Sequence, residues 1–239
     1  MEHVLIVTGG HLNMEFATDY LKTLSYDRVF AVDKGLEYVD ALGIVPDYLV
    51  GDFDTVDRRL LEQYEIRIAK NEIPTVIERH PAKKDASDTE LALNQAIING
   101  TNQVTLLGGT GCRLDHVFAN VGLLLKAQQH GIKLCIVDDT NRIRLLSDEG
   151  YKELILQRDC QHGNYISLIP LTKQVEGVTI QGVMYPLFES TIQMGSSFTV
   201  SNQIVEEKMF VKLEKGKMLL IESCDSYMPM FENGFVRNK

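Results

Sequence analysis

The feature that most constrains the fold is an alternation: between residues 3 and 137, short β-branched runs trade places with stretches of helical spacing. The strand-like runs are HVLIV (3–7), RVFAV (28–32), DYLV (47–50), QVTLLG (103–108) and KLCIV (133–137). Residues 13–24, 35–42, 87–99 and 114–130 carry helical spacing between them. Runs this apolar suit strands buried on both faces, so the pattern predicts a parallel sheet flanked by helices. In the last helix Leu114, Phe118, Val121 and Leu125 form one apolar stripe, and Gly131 supplies a stop.

Beyond residue 140 the period shortens to that of strands, as in ELILQ, NYISLIP, VEGVTIQGV, STIQM and KMFVKL. Turn signals such as His162-Gly163-Asn164 and Lys215-Gly216-Lys217 separate these runs. The expected organisation is therefore α/β followed by all-β, with domains at 1–140 and 141–239.

Several function classes drop out. No apolar run approaches the ~20 residues of a membrane helix. The start, MEHVLIVTGG, enters a strand directly instead of a secretory signal, so a cytoplasmic chain is expected. Cys112, Cys135, Cys160 and Cys224 lack any C-x-x-C spacing and read as reduced thiols. A formal net charge of -9 disfavours nucleic acid as a partner but tolerates a small, metal-complexed anion.

Three motifs carry chemistry. Gly51-Asp52-Phe53-Asp54 follows the strand DYLV, at the edge where open parallel sheets bind ligands. In extended backbone Asp52 and Asp54 would face one hard cation while Phe53 turns into the core, and Gly51 would leave room for a phosphate. The alternative is a solvated acidic turn. Lys84-Asp85-Ala86-Ser87-Asp88-Thr89-Glu90 opens a helix, with Ser87 and Glu90 at capping-box spacing. The cap does not account for Asp88, a carboxylate that could complete a metal site with Asp52 and Asp54, and Lys84 could meet a phosphate. Gly108-Gly109-Thr110-Gly111-Cys112-Arg113-Leu114-Asp115-His116 joins a strand to the striped helix; its glycines suit an anion, Arg113 a bidentate phosphate clamp, and His116 a local helix-start bond. Thr8-Gly9-Gly10-His11 and Asp33-Lys34-Gly35 repeat the strand-to-loop layout at the same edge, and Gly195 to Asn202 reads as a polar hairpin loop.

Taken together, AVDKG (31–35), PDYLVGDFDTV (46–56), KDASDTELAL (84–93), LLGGTGCRLDHVFANVGLLL (106–125), VTIQGVMYPL (178–187) and SSFTVSN (196–202) resemble the thiamine pyrophosphokinase family over nearly the whole chain. The resemblance implies a Rossmann-like N-terminal sheet that binds ATP and a C-terminal antiparallel β-sandwich that binds thiamine. It implies transfer of pyrophosphate from ATP to the thiamine hydroxyl, giving thiamine diphosphate and AMP, with Mg²⁺ as cofactor. By resemblance Asp52, Asp54 and Asp88 are the metal ligands; Asp33, Lys34, Gly51, Lys84, Gly109 and Arg113 line the ATP site; Arg113 and Asp115 form an R-x-D signature; and Ser201 with Asn202 binds thiamine. It also implies a homodimer with sites at the subunit interface. The chain departs from the family pattern at Cys112, Thr199 and Gln203, and it has no Trp. A metal-dependent phosphohydrolase and a non-catalytic nucleotide or thiamine diphosphate sensor are the alternatives.

Overall fold

The computed structural model describes residues 2–81 and 85–227. The chain divides into two units, residues 1–138 and 139–239.

In the N-terminal unit the described strands are β1 (His3–Val7), β2 (Arg28–Val32), β3 (Tyr48–Gly51), β4 (Val76–Arg79), β5 (Gln103–Leu107) and β6 (Lys133–Val137). They run parallel in the order β4-β3-β2-β1-β5-β6. β1 is fully buried and pairs on both sides, Val4 facing Arg28 and Val104. The helices are α1 (Met14–Thr23), α2 (Gly35–Ala41), α3 (Arg58–Ala69), α4 (Asp88–Ile98) and α5 (Leu114–Gln129). After β4 the chain crosses back to β5 on the far side of β1. Because parallel crossovers are right-handed, that reversal puts α4 and α5 on the face opposite α1, α2 and α3. The gap between β1 and β5 is the topological switch point, where such sheets take ligands.

In this unit α3, which buries only Tyr64, and the short β4 go beyond the sequence reading. The stripe expected on α5 is only partly a core face. Leu114 and Phe118 are 65% and 71% exposed, and the helix buries Asn120, Leu123, Leu124 and Ala127 instead.

The C-terminal unit holds β7 (Asn141–Ser147), β8 (Glu153–Gln157), β9 (Tyr165–Pro170), β10 (Gln174–Gln181), β11 (Leu187–Gln193), β12 (Lys208–Lys212) and β13 (Lys217–Ser223). Antiparallel pairing orders them β7-β13-β9 and β11-β10-β12-β8. Leu146, Leu168 and Leu220 from the first sheet and Ile180, Met209 and Val211 from the second share one buried core, a β-sandwich. Three charged groups share that face at one end: Glu222, with no exposed area, is bonded by Arg142 and Arg144 of the neighbouring β7 and by the His162 amide at 2.8 Å. Burial alone would push its carboxyl up, yet the two guanidiniums overcome that and hold it below the usual glutamate range.

Candidate active site

The carboxyl edge of the parallel sheet is assembled by close backbone approaches that only glycine permits. A Cβ on Gly10 would lie 2.2 Å from the Gly108 carbonyl oxygen, so the loops after β1 and β5 touch across the switch point. A Cβ on Gly35 would lie 2.0 Å from the Val7 carbonyl oxygen, which fixes the start of α2 against β1. The expected role of Gly51 changes here. Its φ is +149°, and a Cβ would meet Asp33 Oδ1 at 1.9 Å, so this glycine makes room for a neighbouring carboxylate.

Asp33 links two loops. Its amide donates to the Val50 carbonyl at 3.1 Å, and its Oδ1 accepts from the Phe53 amide at 3.1 Å. Asp33 and Phe53 both adopt left-handed backbone, at φ 44° and 61°. The strand therefore ends at Gly51, and the extended geometry expected for Asp52 and Asp54 is replaced by a turn in which Asp52 Oδ1 accepts from the Asp54 amide at 3.1 Å. Phe53 is buried as expected, with the Arg79 guanidinium 5.1 Å from its ring centre. Asp52 is half-buried and Asp54 exposed.

Asp88 reaches the same edge through α4. Ser87 caps the helix, its hydroxyl accepting from the Glu90 amide at 3.2 Å. The Glu90 carboxylate does not close the capping box; it pairs with Lys126 at 2.7 Å. Beside Asp88, the buried Thr89 hydroxyl lies 3.1 Å from that of Thr8 and ties the first turn of α4 to the end of β1. Among the described residues, no three His, Cys, Asp or Glu side chains close around one point tightly enough to cage a metal. The acidic set Asp52, Asp54 and Asp88 is thus gathered at one edge without forming a cage among the described residues, and the turn at Phe53 gives Asp52 Oδ1 one bond, from the Asp54 amide.

In the glycine loop, Gly109 is buried, and its carbonyl accepts from Asn120 Nδ2 at 2.8 Å. That bond explains the polar residue on the buried side of α5, and an Asn inside the apolar run VFANVGLLL was the available signal. Arg113 is the N-cap residue of α5 and binds Asp115 at 2.6 Å, with both side chains largely exposed. The hydrogen bond from Arg113 holds the Asp115 carboxyl below its ordinary range. Lys34 is exposed at the start of α2 and His116 is exposed beside Asp115, while Lys84 lies outside the described residues.

The C-terminal unit contains a cavity of about 270 Å³ lined mainly by apolar groups, among them Leu168, Ile180, Tyr185, Leu187 and Phe198. Asn202 lines it too, whereas Ser201 sits next to it, exposed, in left-handed backbone at φ 61°. The sequence does not single out Tyr185 and Phe198, since lone aromatics in loops carry no local pattern.

Comparison with known proteins agrees with this layout. Residues 21–136 match the family model described as "Thiamin pyrophosphokinase, catalytic domain", and residues 153–218 match "Thiamin pyrophosphokinase, vitamin B1 binding domain". The chain is 31% identical to the thiamine pyrophosphokinase of Bacillus subtilis (strain 168), over 94% of this chain and all of the relative. The crystal structure of a Bacillus subtilis thiamine pyrophosphokinase superposes with a TM-score of 0.80 at 28% identity, covering 94% of this chain and 100% of that one. That of the Geobacillus thermodenitrificans enzyme superposes with a TM-score of 0.75 at 28% identity, covering 94% and 98%. With both halves matched in order and a relative above 30% identity aligned over its full length, the chain belongs to the thiamine pyrophosphokinase family.

Proposed function

We propose that the chain transfers the pyrophosphoryl group of ATP to the hydroxyl of thiamine, giving thiamine diphosphate and AMP. The observation that carries this reading is the glycine-built carboxyl edge of the parallel sheet, where Asp33, Asp52, Asp54 and Asp88 collect at a switch point. A single patch of acidic side chains beside close-packed backbone suits a triphosphate only if a cation is bound with it.

The donor set fits Mg²⁺. Its oxygens are hard, lie on exposed or half-buried aspartates, and need not form a closed cage, because Mg²⁺ keeps part of its shell for phosphate oxygens and water. Asp52, Asp54 and Asp88 would hold it, and when bound it would neutralise charge on the triphosphate. Arg113, on the exposed first turn of α5, supplies a guanidinium to phosphate oxygens, with Lys34 and Lys84 as further cations. Asp115 is a weak base for removing the hydroxyl proton, because Arg113 stabilises its charge. Its fitting role is to accept a hydrogen bond from the hydroxyl and aim it in line with the β-phosphorus.

The acceptor side is assigned to the β-sandwich, where an apolar cavity with aromatic walls suits a flat heterocycle. A homodimer with sites at the subunit interface is supported by large apolar side chains left in solvent, Leu114 and Phe118 on α5 and Tyr185, Phe188 and Phe198 in the C-terminal unit. The acidic surface argues against nucleic acid, and no helix among the described residues is long and apolar enough to cross a membrane. Cytoplasmic placement follows as part of the same proposal.

Product analysis tests the reaction. Purified protein mixed with ATP, Mg²⁺ and thiamine should yield AMP and thiamine diphosphate in equal amounts, with neither formed when thiamine is omitted. ADP with thiamine monophosphate, or phosphate release without thiamine, would contradict it.

A further inference from the structure

The pair Ser201-Asn202 was expected to hold thiamine, but the side chain of Asn202 is already committed. It is buried, at 8% exposure. Its Oδ1 accepts from the Tyr185 amide at 3.0 Å and from the Gln203 amide at 2.9 Å, and its Nδ2 donates to the Tyr185 carbonyl at 2.8 Å. Both lone pairs of the carbonyl oxygen and one of the two amide hydrogens are thereby used. What these bonds do is specific. One planar amide grips both the N–H and the C=O of a single residue, as a neighbouring strand would, and so fixes φ and ψ of Tyr185 and the direction of its Cα–Cβ bond.

The surroundings reinforce that grip. Asn202 is itself held by a two-way bridge to Ile166, at 2.8 and 2.9 Å. The amide of Met184 donates to the Gln203 carbonyl at 2.9 Å, so the residue before Tyr185 is tied to the residue after Asn202. Pro186 follows Tyr185 and narrows its backbone further toward extended conformations. Tyr185, a residue 66% exposed, then lines the cavity from a rigid backbone together with Phe198 and Leu187. An exposed aromatic ring on a pinned peptide loses little conformational freedom when a ligand settles against it.

We propose that Asn202 is a positioning residue that sets the affinity for thiamine through Tyr185, and that it is not itself the group that holds thiamine. This rests on the reading that thiamine is the acceptor and occupies the β-sandwich cavity. Ser201, whose amide donates to the buried Ser167 hydroxyl at 3.0 Å while its own side chain stays exposed, is then the member of the pair left to touch the ligand.

A double-mutant cycle on the full-length protein separates the two roles. Asn202→Ala and Tyr185→Ala should each raise the KM for thiamine by about tenfold, with the KM for ATP within about twofold of wild type. The double variant should be no worse than Tyr185→Ala alone, because once the ring is gone there is nothing left to aim. Penalties that multiply to about a hundredfold would mean that Asn202 contacts thiamine independently, and would overturn the proposal. An unchanged thiamine KM in Asn202→Ala would overturn it as well. If Asn202→Ala does not fold, Asn202→Ser, which retains a short acceptor for the Tyr185 amide, enters the same cycle. Failure of the underlying reading shows up elsewhere: the wild-type protein would then form no thiamine diphosphate at all.

Discussion

The two units solve opposite problems with opposite materials. At the sheet edge of the N-terminal unit, backbone packs against backbone through Gly10 and Gly35 and against the Asp33 carboxylate through Gly51, and the side chains that reach solvent include the charged Lys34, Asp54, Arg113 and Asp115. In the C-terminal unit the cavity is walled mainly by aliphatic and aromatic side chains, and two polar residues that line it, Thr199 and Asn202, are bonded to the backbone. The difference teaches where rigidity is stored. On the proposed reading, the site for a charged, metal-complexed ligand fixes the chain beneath its carboxylates, whereas the site for a flat organic ring fixes the backbone that carries the aromatic residues.

That contrast breaks most visibly if the glycine approaches are blocked. Gly10→Ala would place a methyl group 2.2 Å from the Gly108 oxygen and 2.7 Å from the Thr110 oxygen, both main-chain atoms that cannot swing aside. Expected is a loss of about 3 kcal/mol in stability, read by urea denaturation, together with loss of ATP binding.

Glu222→Gln addresses the other unit. Two guanidiniums would stay partly buried without their carboxylate, a change worth about 2 kcal/mol, below the first because glutamine retains some hydrogen bonds. The native carboxyl titrates below the usual glutamate range, so its contribution is present above that range and fades as pH falls through the folded value. The stability gap between wild type and Glu222→Gln should therefore close in acid. A gap independent of pH would place the effect in packing.

The smallest effect concerns His3, at the start of β1, whose Nδ1 lies 2.6 Å from the Ser25 carbonyl and whose Nε2 lies 2.9 Å from the Thr105 hydroxyl. Burial lowers its pKa, outweighing Ser25 and Asp27, which act the other way. The unfolded chain then takes up the proton first, and stability should fall as pH drops from about 7.5 to about 5.5. His3→Gln should flatten that slope, which is measured by the urea midpoint across the same range.

How much could be read beforehand follows burial. β1, β2 and β6 coincide with their apolar runs because a strand buried in a parallel sheet has an unmistakable pattern. β4 is an edge strand with exposed Val76 and Arg79 and leaves no buried apolar run to find, whereas α3 does carry an apolar spacing, Leu60, Leu61, Tyr64 and Ile68, set among charged residues. On α5 the apolar stripe is real, but its first half faces solvent, and sequence alone does not say which part of a stripe the sheet covers. At the site, the acidic and glycine motifs stand out because they are short and local. What they do is less visible: Gly51 answers to Asp33, eighteen positions earlier in the chain, and Asn202 to Tyr185, seventeen positions earlier. Such partners meet only in the folded chain.

The division of labour between the two units is tested most directly by steady-state kinetics of Asp52→Asn and Phe198→Ala side by side, varying thiamine at saturating ATP and Mg²⁺. Expected for Asp52→Asn is a fall in kcat of at least about 100-fold with the thiamine KM within about threefold of wild type. Expected for Phe198→Ala is a thiamine KM raised about tenfold with kcat within about threefold. A folded Asp52→Asn that keeps its kcat, or a Phe198→Ala that loses turnover even at saturating thiamine, would contradict the assignment of chemistry to the acidic edge and acceptor recognition to the β-sandwich.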